Sequence, residues 1–186
     1  MKTADALLNP APDFSTPLEL LHACHGRIEK QCDTLLKLPG YLAVHGVDDQ
    51  AIQAAAAILK YFTTAARHHH EDEEQDLFPM VRRHAESNTN GRMVALLHDL
   101  ELQHRDMEAA WGHMQLWLES LAQGNVTPFA STDIEGFVAL YQAHIAQEES
   151  ALLPYARATL GSEQLTLLGD RMAARRGVKL DGERLV

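Results

Sequence analysis

An antiparallel, up-down four-helix bundle of the all-α class, followed by a short C-terminal helix, is what three features of the sequence predict. Long blocks repeat apolar residues at alternating steps of three and four, turn signals fall between those blocks, and no run alternates apolar with polar residues as a strand does. Long helices with short connections pack antiparallel. Helix 1 is expected over 17–38: Thr16-Pro17-Leu18-Glu19 reads as a capping box with Pro at the first helical position, and Pro39-Gly40 as a stop. Helix 2 begins near Asp48, is rich in Ala, runs past Pro79 to about 85 and breaks at Ser87-Asn88-Thr89-Asn90-Gly91. Helix 3 covers about 91–122 and stops at Gly124-Asn125. Thr132-Asp133-Ile134-Glu135, a second capping box, opens helix 4, which reaches about 159 before Leu160-Gly161. Helix 5 covers about 163–176. Pro79 and Pro154 lie inside helical patterns and are expected to kink the helix or loosen the preceding turn.

With 186 residues and 46% apolar content the chain can bury a sizeable core. It divides into an N-terminal extension over 1–16, the bundle over 17–159, and the C-terminal helix and tail over 160–186. A net charge of −10 argues against a nucleic-acid or anionic-membrane surface, which needs clustered Lys and Arg. The basic stretch from Arg171 to Lys179 reads as a solvated terminal helix. Cys24 and Cys32, eight residues apart on one helix and so roughly 12 Å along its axis, are too distant to bridge. Reduced thiols, the absence of an apolar leader core near Met1, and no apolar run of roughly 18 residues predict a cytoplasmic protein without a membrane span.

The histidines fall on the buried stripes. Helix 1 runs Leu18, Leu21, His25, Ile28, Cys32, Leu35; helix 3 runs Leu97, Leu100, His104, Met107, Trp111, Met114, Leu118, Leu121. Helix 2 gives Ile52, Ala55, Leu59, Phe62, Ala66, His69, Glu73, Leu77, Met80, and helix 4 gives Ile134, Phe137, Tyr141, His144, Glu148, Leu152, Tyr155. Each long helix thus turns one imidazole inward, and helices 2 and 4 add a carboxylate one turn later. Burying these groups without partners costs several kcal/mol per charge, more than a domain's marginal stability absorbs. A metal centre held by His25, His69, Glu73, His104, His144 and Glu148 resolves the conflict.

Glu29 and Glu108 also stand four residues after an inward His, but there the stripe steps by three, to Ile28 and Met107, leaving both carboxylates at its edge. The halves repeat: His25-x-x-Ile28-Glu29 matches His104-x-x-Met107-Glu108, and His69-x-x-x-Glu73-Glu74 matches His144-x-x-x-Glu148-Glu149. Such a duplication predicts two similar metals, each served by half of the ligands. Nitrogen-rich ligation without thiolate points to two Fe ions or Mn, with Zn possible, ahead of Mg or Ca. If both carboxylates bridge and an oxo or hydroxo is shared, about two positions of two octahedral ions stay open. Surplus cationic charge there favours anionic or reducible diatomic ligands, a class to which O2, NO and peroxide belong.

On these residues the chain resembles the hemerythrin-like (HHE cation-binding) family, over about 17–159. The resemblance rests on both His-x-x-x-Glu-Glu segments, on the Leu77-Phe78-Pro79 and Leu152-Leu153-Pro154 elements after them, and on the inward His of helices 1 and 3. It implies a hemerythrin-like bundle around a non-haem di-iron centre with those same six ligands. Its members bind or sense oxygen, sense iron, or help repair damaged iron centres. This chain departs from the oxygen-carrying members in having Glu108 where helix 3 would hold another His, and it lacks the Cys-containing N-terminal domain of many repair members. The function expected is ligand binding at open metal sites, in sensing, scavenging or iron handling. The alternatives are an iron donor for repair of iron-sulfur or di-iron centres, and a di-iron oxidase or peroxidase.

Other polar groups are assigned plainer roles. His68 and His70 are expected at the surface or behind the ligands, His22, His98 and His113 as structural or exposed, and Asp72, Glu74, Asp76 and Glu149 as a solvated face. Trp111 and Tyr141 are expected to pack in the core, as is the Cys24 thiol. No nucleophile elbow, phosphate-binding loop or dinucleotide fingerprint occurs. The chain therefore reads as a metal- and ligand-binding protein rather than an enzyme with a dedicated substrate.

Overall fold

The computed structural model describes residues 11–125 and 128–179; positions 1–10 of the N-terminal extension and the tail from 180 lie outside the described residues. Among those described there is no strand. Helix α1 spans Pro17–His45. Helix α2 joins the α-helical stretches Asp49–Tyr61, Arg67–Asp72 and Phe78–Ser87 through π-helical turns at Phe62–Ala66 and Glu73–Leu77. Helix α3 is Gly91–Ala122. Helix α4 joins Ser131–Gln147 to Leu153–Thr159 through a π-helical turn at Glu148–Leu152, and α5 is Ser162–Arg175. Around the bundle α1 packs on α2, α2 on α3, α3 on α4 and α4 on α1, while α5 lies across α1 and α2.

Helix α1 continues seven residues beyond its expected end at 38. Pro39 removes one backbone bond, but Tyr41 and Leu42 pack against the core, and the Tyr41 hydroxyl donates to Asp48 Oδ2 at 2.8 Å. Asp48 in turn caps α2 by accepting from the Ala51 amide at 2.9 Å. Packing thus outweighs the local stop signal, and Gly46, at φ +69°, ends the helix with its N–H on the Leu42 carbonyl. Neither expected capping box forms: Thr16 turns its hydroxyl toward the Asp13 carbonyl, and α4 starts one residue ahead of Thr132.

The expected loosening ahead of Pro79 and Pro154 is found. The Phe78 amide bonds to the Glu73 carbonyl and the Leu153 amide to the Glu148 carbonyl, five residues back in each case. A proline ring clashes with the carbonyl four residues before it, and widening the turn relieves that clash. The third π-turn, Phe62–Ala66, contains no proline; Thr63 and Thr64 direct their hydroxyls to the Leu59 and Lys60 carbonyls there. Its added residue rotates the upstream stripe, so Ala51, Ala55 and Ile58 are buried while Ile52 and Leu59 are half-buried.

Two apolar clusters fill the bundle. One gathers Ile28, Phe62, Met107 and Phe137; the other gathers Leu21, Leu77, Leu100 and Leu152, with Leu168 and Met172 of α5. The inward histidines occur along each helix where one cluster gives way to the other. The antiparallel register therefore brings all the buried polar groups into one layer, walled by hydrocarbon on both sides. Phe14 crosses α5 so closely that a Cβ on Gly169 would sit 1.9 Å from the Phe14 carbonyl oxygen.

Candidate metal centre

All six residues expected to ligate a metal come together in that layer, between 0% and 4% exposed. They form two groups able to hold a cation: His25 and His69 with Glu73 and Glu148, and His104 and His144 with the same two glutamates. Each imidazole pair comes from one half of the sequence repeat, and the carboxylates are common to both.

Each glutamate divides its oxygens between the groups. Glu73 Oε1 lies 3.3 Å from His69 Nε2, and its Oε2 lies 3.5 Å from His104 Nε2. Glu148 Oε2 lies 3.1 Å from His25 Nε2, and its Oε1 lies 3.3 Å from His144 Nε2. Donor atoms bound at about 2.1 Å around one octahedral ion sit about 3 Å apart, the spacing seen here. His25 Nε2, both nitrogens of His69, Glu73 Oε2 and both oxygens of Glu148 are buried without a hydrogen-bond partner. Orphaned buried donors carry a heavy desolvation cost, and lone pairs converging on a shared point are what a cation satisfies. The residues fit a two-metal group.

The electrostatics agree. Burial, then the nearby charge of Glu148, pushes Glu73 well above the usual carboxylate range. Burial works the same way on Glu148, but His144 and His25 override it and hold that carboxyl well below its ordinary value. Two carboxylates this close do not both ionise without cationic compensation. Burial and then His25 depress His69, leaving it neutral, the form that ligates.

The second glutamate of each repeated motif performs a role the sequence reading missed. Glu74, on α2, accepts from His104 Nδ1 of α3 at 2.7 Å; Glu149, on α4, accepts from His25 Nδ1 of α1 at 2.5 Å. These bonds put the proton on Nδ1 and aim the Nε2 lone pair inward. The bond to His104 lowers Glu74, and the bonds to His25 and His22 outweigh burial to lower Glu149. Gln103 Oε1 accepts from His144 Nδ1 at 3.0 Å. The doubled Glu in both motifs was the available signal; the period alone left Glu74 and Glu149 on the solvated face. His22, although exposed, shares Glu149 at 2.8 Å.

Asp72 and Asp76 also depart from the solvated face expected for them. They are 0% and 3% exposed and receive Arg171, Arg175 and Arg176 from the C-terminal basic stretch, which is therefore a clamp on α2 rather than a solvated helix end. Glu29 is exposed, as its phase implied, and Glu108 is exposed at a cleft between α2 and α3. That cleft, about 970 Å³, is bordered by His70, His104, Trp111 and Tyr141, so the last two line an opening as well as packing in the core. His70 takes the second of the two positions expected for it: half-buried behind His104, it stacks its ring there with centroids 4.0 Å apart.

An all-α bundle with a buried layer of paired histidines around shared carboxylates defines a cation-binding protein. The model of the hemerythrin HHE cation-binding domain matches residues 16–156, and the chain belongs to that family. An uncharacterized protein of Haemophilus influenzae is 35% identical over 166 residues, covering 89% of this chain and 93% of that protein. No helix among the described residues is long and apolar enough to cross a membrane.

Proposed function

We propose that this chain is a non-haem di-iron protein in which His25 and His69 hold one iron, His104 and His144 the other, and Glu73 and Glu148 bridge the pair. The observation that carries this is the division of each carboxylate between two imidazole pairs, with Glu73 reaching His69 and His104 and Glu148 reaching His25 and His144. Iron suits a nitrogen-rich, thiolate-free set and supplies reversible one-electron chemistry toward small ligands. Four imidazoles and two bridging carboxylates leave coordination positions open, and O2, NO or peroxide is the ligand class that fits them, in sensing, scavenging or iron handling.

The chain's own residues set the conditions. Glu74, Glu149 and Gln103 fix the tautomers of three imidazoles, and the apolar clusters exclude bulk water from the layer. Cys24 and Cys32 are free and buried, and burial raises the Cys32 thiol to about 12, which keeps it protonated within the apolar core. Unpaired thiols are at home in a reducing, cytoplasmic setting.

The test is metal analysis of protein purified from iron-replete cells, with Mössbauer spectra to detect magnetic coupling. Two coupled irons per chain support the reading; a single metal, uncoupled irons, or zinc refractory to iron exchange refutes it. Optical titration of the anaerobically reduced protein with O2, NO and peroxide then ranks the ligands.

A further inference from the structure

The two metal groups differ in their access to the cleft between α2 and α3. Of the six residues of the two groups His104 alone lies on its wall; its partner His144 and His25, His69, Glu73 and Glu148 do not border it. Beside His104 in that wall stands His70, its ring nearly parallel at 16° and 4.0 Å, and 5.8 Å from the ring of Tyr141. His70 lies 6.1 Å from His144 and is absent from both sets of converging donors. Its Nε2 is nevertheless buried and without a hydrogen-bond partner. A buried polar atom left unpaired beside an open cleft is costly unless something entering the cleft completes it. On α3 the exposed Glu108 faces the same cleft, so α3 supplies no further imidazole on that side of His104.

We propose that an exogenous small anion or diatomic enters by this cleft, binds at the His104 and His144 metal, and is held there by a hydrogen bond from His70 Nε2. The proposal rests on the di-iron reading and adds an asymmetry to it: one metal is the open one, and His70 is its specificity-determining residue without being a ligand. The buried Tyr141 and Phe62 give part of the cleft an aromatic lining, and of the polar groups that line the rest, His70 is the one stacked on His104 with an unpartnered Nε2, which positions it to discriminate between entering ligands.

The test uses the iron-loaded full chain and azide as the probe, with His70→Leu and His70→Gln. The expected result is two irons per chain in all three proteins and azide release from His70→Leu about tenfold faster, equivalent to about 1.4 kcal/mol. His70→Gln, which keeps an N–H donor, recovers most of the difference. The azide stretching band of the wild type shifts in D2O, and that shift disappears in His70→Leu, a signature that altered packing alone would not produce. An unchanged release rate and band in His70→Leu overturn the proposal while leaving the di-iron reading intact. Loss of one iron in His70→Leu makes His70 a ligand and equally overturns it. A wild-type protein that holds two irons but takes up no azide refutes the open site, and one that holds no iron refutes the di-iron reading itself.

Discussion

Replacing Asp72 with Asn tests whether the C-terminal clamp stabilises the segment that carries Glu73. Asp72 is fully buried; its Oδ1 receives Arg175 and, at 3.1 Å, Arg176 Nη1, and its Oδ2 receives Arg176 Nη2 at 2.6 Å. An amide cannot accept at both atoms, so one guanidinium contact becomes N–H against N–H. Removing one partner of a buried ion pair costs about 3–5 kcal/mol. The Arg175 and Arg176 side chains are 14% and 21% exposed, so water recovers part of that, and about 2–3 kcal/mol is the better figure. For a chain of this length each kcal/mol lowers Tm by about 2–4 °C, which gives about 4–12 °C. The assay is calorimetric unfolding of the metal-free protein, where ligand linkage cannot mask the effect. Glu19→Gln is the control, because its pair with Arg157 is 48% and 57% exposed on the two sides and lies outside the clamp, and such pairs contribute about 0–1 kcal/mol. A loss for Asp72→Asn no larger than that of the control would refute the reasoning.

Three further outcomes are expected. Glu73→Ala and Glu148→Ala each lower bound metal below two per chain, whereas exposed Glu29→Ala leaves it unchanged; equal loss in all three, measured by elemental analysis, would undo the phase argument. Glu74→Gln and Glu149→Gln keep the fold but weaken metal retention by about 10–100-fold in chelator competition, the usual cost of losing the carboxylate behind a ligating imidazole. Gly169→Ala drives a methyl into the Phe14 carbonyl and destabilises by about 1–3 kcal/mol in urea unfolding; a neutral result would mean that the segment before α1 does not lie against α5 in solution.

Local periodicity alone determined the fold class and which six residues turn inward, because residues on one helix face are related by a fixed angle that needs no knowledge of the neighbours. His69 and Glu73 were separable from His70 and Glu74 on that basis, and the repeated halves foretold two imidazole pairs. Tertiary structure decided everything that depends on how one helix is rotated against another. The period puts Glu74 and Glu149 on the solvated face, and only the packing of α2 on α3 and of α4 on α1 turns them onto His104 and His25. Asp72 and Asp76 looked solvated because their arginines arrive from about a hundred residues away, on a helix whose docking no local motif announces. Pro39 read as a stop because its cost is local, whereas the packing of Tyr41 and Leu42 that offsets it is not. The cleft at His70 arises between α2 and α3, and a space between helices leaves no mark on the periodicity of either.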